Sequence, residues 1–263
     1  MADVGAILRD LAAESGELDA LVAALPEAGW ARPTPADGWT IAHQIAHLAW
    51  TDDKALIAVR TPELFAAEVE KAFASGGKDV DEGAEAGAQA PPAELLARWR
   101  TGREDLARGL AEVPDGQKVP WYGPPMSAAS MVTARIMETW AHAQDVFDAL
   151  GVRREPSERL WHIARFGVRT RNFAYTINSR TPPAEEFRVE LTAPDGSTWA
   201  WGPEDAADRV TGSALGFCLV VTQRRHPGDT DLRTEGEQAR TWLTFAQAFA
   251  GMPGPGREEG QFA

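Results

Sequence analysis

Three side chains on two predicted helices have the types and the spacing that binding of a metal ion requires. Glu138 and His142 stand four positions apart in METWAHAQDV, so both project from one face of a helix. His47, in TIAHQIAHLAW, could supply a third donor from a neighbouring helix. Two imidazoles and one carboxylate with an open position suit a catalytic divalent ion, Zn²⁺ first, better than a closed structural site. The alternative is that Glu138 and His142 form only a solvated pair on the helix surface.

A polar strip on the helix of His47 bears on this choice. At about 100° per residue, His47 shares that strip with His43, outside the main apolar stripe, and such a strip commonly faces water. The rest of the helix is largely apolar, which makes the strip narrow enough to line an internal cleft. His43 lies one turn before His47 and could take the place of Glu138 or hydrogen-bond to a ligand from behind.

The helix of Glu138 carries a polar strip of its own. Four side chains share this strip: Arg135, Glu138, His142 and Asp145. It lacks the Lys and Glu repetition of a merely solubilising face, which favours a functional lining. The alternative is an ion pair between Arg135 and Glu138 on the surface, with little energetic consequence.

Composition limits the classes of protein to which the chain could belong. Its 263 residues suffice for one large or two modest domains with a buried core. The 39 acidic and 26 basic residues give a net charge of −13, which opposes binding to nucleic acid or to anionic membranes. The sequence shows neither a secretory signal nor an apolar stretch of membrane-spanning length, so we predict a soluble cytoplasmic protein.

The single cysteine, Cys218, can form neither an internal disulfide nor a thiolate metal site. It lies in the apolar segment ALGFCLVV, which predicts a buried structural thiol. Any thiol chemistry would therefore use an external thiol. His162 and His226 have no partner at ligand spacing, and we interpret both as structural or exposed.

Helical periodicity dominates the N-terminal part of the chain. Helices are predicted over residues 4–25, over 41–59 with Thr40 as cap, after Pro62, over 92–113 and over 127–150. The intervening segment SGGKDVDEGAEAGAQAPP is interpreted as an exposed, mobile connection. Four long helices predict an up-and-down bundle in residues 1–155.

The pattern changes after Pro156. One more helix is predicted from there towards residue 181, and FRVELTAPDGSTWAWG alternates apolar and polar residues around Asp195-Gly196, a strong hairpin signal. A helix over 213–225, a short strand near 230–234 and a last helix to residue 250 complete a small α+β domain, residues 156–252. The tail, residues 253–263, is predicted to be disordered.

These motifs resemble the DinB-like superfamily, in particular its actinobacterial branch related to mycothiol-dependent maleylpyruvate isomerases. GWTIAHQIAHLAW resembles the first metal-binding helix of that family, and ARIMETWAHAQDVFDAL resembles its helix with the E-x-x-x-H pattern. The segment DGSTWAWGPEDAADRVTGSALGFCLVVTQRR resembles the small sterol-carrier-like domain that follows the bundle. The resemblance implies a mainly α protein, a DinB-like up-and-down four-helix bundle followed by a small α+β sterol-carrier-like domain.

The resemblance also implies a set of functional residues. His47, Glu138 and His142 match the metal ligands of the family. Arg224, with Arg225 as the neighbouring alternative, corresponds to an arginine that the small domain contributes to the active site. A guanidinium there could hold a carboxylate or an enolate through paired hydrogen bonds, although either arginine could instead complement a helix dipole.

An aromatic wall for the pocket is a further expectation. Trp121 and Tyr122 lie in WYGPPMSAASM, between two predicted helices, and could supply this wall. The alternative for both side chains is ordinary exposed or core packing.

By the same resemblance the metal is Zn²⁺, and mycothiol, a small sugar thiol, adds to an electrophilic double bond and leaves again. This chemistry gives cis–trans isomerisation or thiol transfer, and a divalent ion would hold the thiol as its thiolate at neutral pH. We therefore predict a monomeric or homodimeric metal-dependent isomerase or transferase acting on a small electrophilic, carboxylated molecule. The alternatives are a lyase, hydrolase or cyclase reaction without a thiol, and a non-catalytic metal-binding protein.

Overall fold

The computed structural model describes residues 3–75 and 78–262, which divide into two units, Met1–Arg154 and Glu155–Ala263. The described residues of the first unit form six α-helices and a short 3-10 helix at Glu27–Ala31. The α-helices are α1 (Val4–Ala23), α2 (Ile41–Arg60), α3 (Pro62–Ser75), α4 (Asp79–Ala88), α5 (Pro92–Ala111) and α6 (Ala128–Leu150). A short hairpin, β1 (Lys118–Val119) with β2 (Met126–Ser127), precedes α6. The mutual contacts of α1, α2, α5 and α6 confirm the predicted four-helix bundle.

Capping side chains set the start of the two helices that carry the candidate ligands. The backbone N–H of Thr40 donates to Nδ1 of His43 at 3.2 Å, which closes the first turn of α2. Ser127 begins α6 by accepting from the backbone N–H of Ser130 at 3.2 Å. At the other end of α6, Gly151 has a φ of 66°, a left-handed conformation that glycine adopts without strain.

The interior of the bundle is apolar. Aliphatic and aromatic side chains of its helices form one buried cluster, which includes Leu18, Ile45, Leu48, Trp99 and Val146. Each such aliphatic side chain removed from water contributes about 1.5–3 kcal/mol to folding. This cluster fixes the positions of the helices and thereby those of the polar strips.

The prediction of a mobile connection after α3 is wrong for residues 79–88, which form α4 and pack on α2; residues 76–77 of that segment lie outside the described residues. Gly87 is buried, and a methyl group added to it would lie 2.8 Å from Cβ of Ala46. A methyl group added to Gly83 would lie 2.6 Å from the ring of Trp50. The small residues that suggest a linker therefore allow two helices to approach closely.

Gly87→Ala should destabilise the first unit by about 1–3 kcal/mol, because α4 or α2 must move to admit the methyl group. The matched control is Gly16→Ala in α1, where no atom lies within 4 Å of an added Cβ. That variant should gain about 0.5–1 kcal/mol, since alanine is the better helix former. Urea unfolding measures both changes. If Gly87→Ala were as stable as Gly16→Ala, the close packing of α4 on α2 would be contradicted.

The second unit combines helices with one sheet. Its described helices are α7 (Leu160–Arg169), α8 (Arg171–Ile177), α9 (Ala214–Val221) and α10 (Glu237–Leu243), and its strands are β3 (Arg188–Thr192), β4 (Thr198–Trp201), β5 (Arg209–Ser213) and β6 (Arg233–Glu235). The strand order is β4-β3-β5-β6, in which β3 pairs antiparallel with β4 and parallel with β5. The predicted hairpin at Asp195-Gly196 is confirmed, with a φ of 84° at Gly196.

Several elements of the second unit differ from the prediction. The single helix expected after Pro156 is instead two helices, α7 and α8, which meet at Thr170. The hydroxyl of Thr170 donates to the backbone carbonyls of Phe166 and Gly167. Strand β5 carries no hairpin signal, because its parallel partner β3 is distant in sequence. The helices expected to reach residues 225 and 250 end at Val221 and Leu243.

The tail, predicted to be disordered, makes defined contacts within the second unit. The backbone N–H of Gly260 donates to Oδ1 of Asp229 at 2.7 Å. The guanidinium of Arg225 lies 3.9 Å from the ring centre of Phe262, a cation–π contact. These contacts hold the end of the described chain against the loop that follows α9. Within residues 3–75 and 78–262, every helix is too short or too polar to cross a bilayer.

Candidate metal centre

The three residues predicted as metal ligands come together in the first unit. Nε2 of His47 lies 3.6 Å from Oε2 of Glu138, and Nε2 of His142 lies 3.4 Å from the same oxygen. Each of the three residues offers one donor atom within 4.8 Å of the other two. The separations of 3.4 Å and 3.6 Å are those expected of two donor atoms that bind one Zn²⁺ at its usual bond lengths of about 2.0–2.2 Å.

Helices α2 and α6 bring the ligands together by running antiparallel. His142 contacts Gln44 at one end of the shared surface, and Arg135 contacts Thr51 at the other. Contacts at higher residue numbers of α2 are therefore made with lower residue numbers of α6, which is the order of an antiparallel pair. His47 of α2 faces Glu138 and His142 of α6, and the last two side chains are only 21% and 12% exposed, so the solvated helix-surface alternative for them is wrong.

Glu138 supplies negative charge to this cluster. Burial alone would raise the pKa of Glu138, but the hydrogen bonds and positive charge that His142 and His47 supply when protonated hold this pKa well below its usual range. Its side chain keeps 21% of its exposure, against 12% for His142 and 9% for His47. An ionised carboxylate and two imidazoles that solvent still reaches fit a divalent ion with room for a further ligand.

Gln44, which the sequence analysis did not single out, hydrogen-bonds to His142. Its Oε1 lies 2.6 Å from Nδ1 of His142, and its Nε2 donates to Oγ1 of Thr34 at 2.9 Å. The Gln44 side chain is fully buried. The available signal was its place one turn before His47, on the same face of α2.

Two tryptophans flank the histidines. The ring centre of Trp39 lies 5.3 Å from that of His47 and 6.0 Å from that of His142. The ring of Trp50 lies 6.4 Å from that of His47, on the following turn of α2. Indoles at this distance cover part of each imidazole and lower its contact with water, which strengthens the electrostatic interactions of the cluster. Their sequence positions gave no signal that separates such a wall from ordinary core packing.

Arg135 is buried, and its guanidinium hydrogen-bonds to side chains of α2 and not to Glu138. Its Nε donates to Oδ1 of Asp52 at 2.9 Å, and its Nη2 donates to Oγ1 of Thr51 at 2.8 Å. The Thr51 hydroxyl in turn donates to the backbone carbonyl of His47 at 2.9 Å. Arg135 therefore ties α6 to the turn of α2 that follows His47, and the alternative of a surface ion pair with Glu138 is wrong.

His43 joins α2 to α4 and is not a member of the donor cluster that the described residues form. Its Nδ1 accepts from the backbone N–H of Thr40, so Nε2 carries the proton of the neutral ring. That Nε2 lies 2.8 Å from Oε2 of Glu85, and this hydrogen bond, followed by one from Gln89, lowers the pKa of Glu85. Both nitrogens of His43 are thus engaged away from Glu138.

The other pocket candidates of the first unit are Asp145, Trp121 and Tyr122. Asp145 is buried on α6, one turn beyond His142. Trp121 and Tyr122 pack against Phe65 of α3, with ring centres 5.6 Å and 5.2 Å from that of Phe65. Burial raises the pKa of Tyr122, as do the negative charges of acidic neighbours. The core-packing contact is observed, and the role of these rings as a pocket wall stays a prediction.

The two candidate arginines lie in the second unit, just after α9. Nη1 of Arg224 donates to the backbone carbonyl of Thr222 at 2.6 Å, which resembles the helix-terminal role considered as the alternative. Nη1 of Arg225 donates to the carbonyl of Arg224 at 2.7 Å. Binding of a substrate carboxylate or enolate by Arg224 stays a prediction.

Cys218 and the remaining histidines have structural surroundings. Cys218 is fully buried, as predicted, and burial raises the pKa of its thiol. The ring of His162 contacts that of Trp161 on α7, with centres 5.6 Å apart. Nδ1 of His226 accepts from the backbone N–H of Gly228 at 3.1 Å. None of the three contributes to the cluster of donors that the described residues form.

Two family models match parts of the chain. One, described as the mycothiol maleylpyruvate isomerase N-terminal domain, matches residues 11–147, which contain all three candidate ligands. The other, described as wyosine base formation, matches residues 183–235 in the second unit.

Similar proteins and structures cover most of the chain. Two uncharacterized proteins from two strains of Mycobacterium tuberculosis are each 58% identical over 257 residues, which is 98% of this chain and 100% of the relative. Crystal structures of the mycothiol-dependent maleylpyruvate isomerase and of a mutant of it align with a TM-score of 0.59 at 16% identity. Each alignment covers 88% of this chain and 92% of the other, and this likeness shows a shared fold.

Proposed function

We propose that this chain, which belongs to the mycothiol maleylpyruvate isomerase N-terminal domain family, is a Zn²⁺-dependent isomerase or thiol transferase with mycothiol as cofactor. Its substrate is a small electrophilic molecule that bears a carboxylate. The observation that carries the proposal is the convergence of His47, Glu138 and His142 between α2 and α6. The fold shared with the mycothiol-dependent maleylpyruvate isomerase supports the choice of reaction class.

The position of the only cysteine supports an external thiol. Cys218 is fully buried and burial raises the pKa of its thiol, so it is neither accessible nor ionised at neutral pH. The chain therefore offers no accessible thiol of its own for a reaction that proceeds by thiol addition. A small-molecule thiol has to supply the nucleophile.

The ligand residues suit this chemistry through their charge. When bound, a divalent ion would stabilise a thiolate or polarise a substrate oxygen. Glu138 contributes one negative charge, and His47 and His142 would contribute none as neutral rings. The site with a divalent ion would thus keep a net positive charge, which favours an anionic thiol and a carboxylated substrate. Trp39 would limit the access of water to both imidazoles.

The test is turnover by Zn²⁺-loaded protein. With mycothiol present, cis–trans isomerisation of maleylpyruvate should be observed, and omission of either Zn²⁺ or mycothiol should reduce the rate to background. His142→Ala should likewise reduce the rate to background. His162→Gln, which changes a histidine of α7 outside the cluster, is the control and should keep the wild-type rate.

Two other results would contradict the proposal and favour the alternatives. Turnover of an unsaturated keto acid without any thiol would indicate lyase, hydrolase or cyclase chemistry on the same ligands. Stoichiometric metal without turnover of any unsaturated keto acid would indicate a non-catalytic metal-binding protein.

A further inference from the structure

Gln44 is a buried polar side chain whose place in the site the proposed function does not explain. It is 0% exposed in the interface between α2 and α6. An amide buried in this way is costly unless its oxygen and nitrogen both find partners. They do: the oxygen faces Nδ1 of His142 at 2.6 Å, and the nitrogen faces the hydroxyl of Thr34 at 2.9 Å.

The hydrogen-bond chain fixes which way the amide points. The Thr34 hydroxyl donates to the backbone carbonyl of Trp39 at 2.9 Å, so its oxygen is left to accept from the amide nitrogen of Gln44. The carbonyl end of Gln44 must then face His142. A carbonyl oxygen only accepts, so Nδ1 of His142 carries a proton. In the neutral ring the lone pair is therefore on Nε2, the atom that faces Glu138.

Of the two histidine ligands, only His142 has a hydrogen-bond acceptor beside its Nδ1 among the described residues. Nδ1 of His47 is buried and has no hydrogen-bond partner among residues 3–75 and 78–262. Gln44 thus holds a proton on Nδ1 of His142, whereas no described residue does so for Nδ1 of His47. The contrast supplies an internal reference, because a change at Gln44 should affect one imidazole and not the other.

We propose that Gln44 is a positioning residue, which sets His142 in the Nδ1–H tautomer so that Nε2 is a ready donor before any ion binds. The inference rests on the proposed function for the identity of the ligand, a divalent cation. Groups that hydrogen-bond to the far nitrogen of a metal-binding histidine commonly change metal affinity about 10–100-fold. The same magnitude is expected here.

The first measurement is the tautomer of His142 in the metal-free protein. Two-bond ¹H–¹⁵N correlation spectra at pH 8 distinguish the two tautomers of a neutral imidazole, and the His142→Ala spectrum assigns the signal among the five histidines. The wild type should show Nδ1–H. In Gln44→Met, which keeps the size but removes the acceptor, the proton should move to Nε2, where Glu138 accepts it. The signal of His47 should not change.

The second measurement is the affinity for Co²⁺, followed by its visible absorption. Gln44→Met should bind Co²⁺ about 10–100-fold more weakly than the wild type. Gln44→Glu keeps an acceptor for Nδ1, and the Thr34 hydroxyl can turn to donate to it, so this variant should bind at least as tightly as the wild type. A role in packing alone would make both variants equally weak.

A third variant covers the case in which Gln44→Met does not fold. Thr34→Val removes the anchor of the amide and leaves Gln44 itself in place, so His142 should become a mixture of tautomers. Retention of pure Nδ1–H in Thr34→Val and in any folded Gln44→Met would overturn the inference, as would equal loss of Co²⁺ affinity in Gln44→Met and Gln44→Glu. A wild type that takes up no Co²⁺ would instead refute the proposed metal site, and the tautomer spectra would still decide the role of Gln44.

Discussion

His142→Ala and His47→Ala should each weaken binding of Zn²⁺ by roughly 10²–10³-fold. Structural zinc sites with four ligands bind with about 10–16 kcal/mol, which is about 2.5–4 kcal/mol per ligand. Because a factor of ten in affinity corresponds to about 1.4 kcal/mol, the loss of one of three protein ligands gives this range or more. Elemental analysis after dialysis and competition with a chelator of known affinity measure the change.

The matched control for this prediction is His43→Gln. His43 lies one turn from His47 on the same helix, but its ring nitrogens contact Thr40 and Glu85 instead of Glu138. The variant should therefore keep one equivalent of metal, with a small loss of stability from the weakened cap of α2. If His43→Gln released the ion while His47→Ala retained it, the assigned ligand set would be wrong.

Arg135→Met should destabilise the first unit by about 3–5 kcal/mol. Arg135 and Asp52 are both buried, with side chains 2% and 8% exposed, and they form a direct ion pair. Burial raises the pKa of Asp52, whereas the charge and hydrogen bond of Arg135 act in the opposite direction. Removal of the guanidinium leaves a buried carboxylate without its partner, which is the costly way to break such a pair. Urea unfolding monitored by far-UV circular dichroism gives the difference.

Two further variants show whether burial is the cause. The double variant Asp52→Asn with Arg135→Met removes both charges and should recover most of the lost stability. Arg108→Met breaks the pair with Asp105 on the surface of α5, where the arginine side chain is 62% exposed, and should leave stability almost unchanged. Comparable losses in Arg135→Met and Arg108→Met would contradict the buried ion pair.

Local sequence signals predicted the elements that carry the site. The cap at Thr40 is predicted from residue types within one turn of the helix end, and the structure has it where expected. The four-position spacing of Glu138 and His142 fixes their common face, since helix geometry alone determines it. The hairpin at Asp195-Gly196 is equally local.

Two elements, α4 and β5, were not predicted because each depends on a partner that is distant in the chain. The glycines and alanines of residues 79–88 resemble a linker in composition, yet Gly83 and Gly87 allow α4 to lie directly on Trp50 and Ala46 of α2. Composition cannot show that a neighbouring helix is present to fill the missing side-chain volume. The same holds for β5, whose parallel partner β3 lies well before it in the chain.

The sequence by itself determined the four long helices of the bundle and which side chains share a polar face, because these follow from periodicity within a few residues. Only the tertiary structure decided that α2 and α6 run antiparallel with those faces together, that His142 is supported by Gln44, and that Arg135 binds Asp52 instead of Glu138. Which side chains meet across two helices depends on the packing of the whole bundle, since each helix rotates and slides until its apolar stripe is buried.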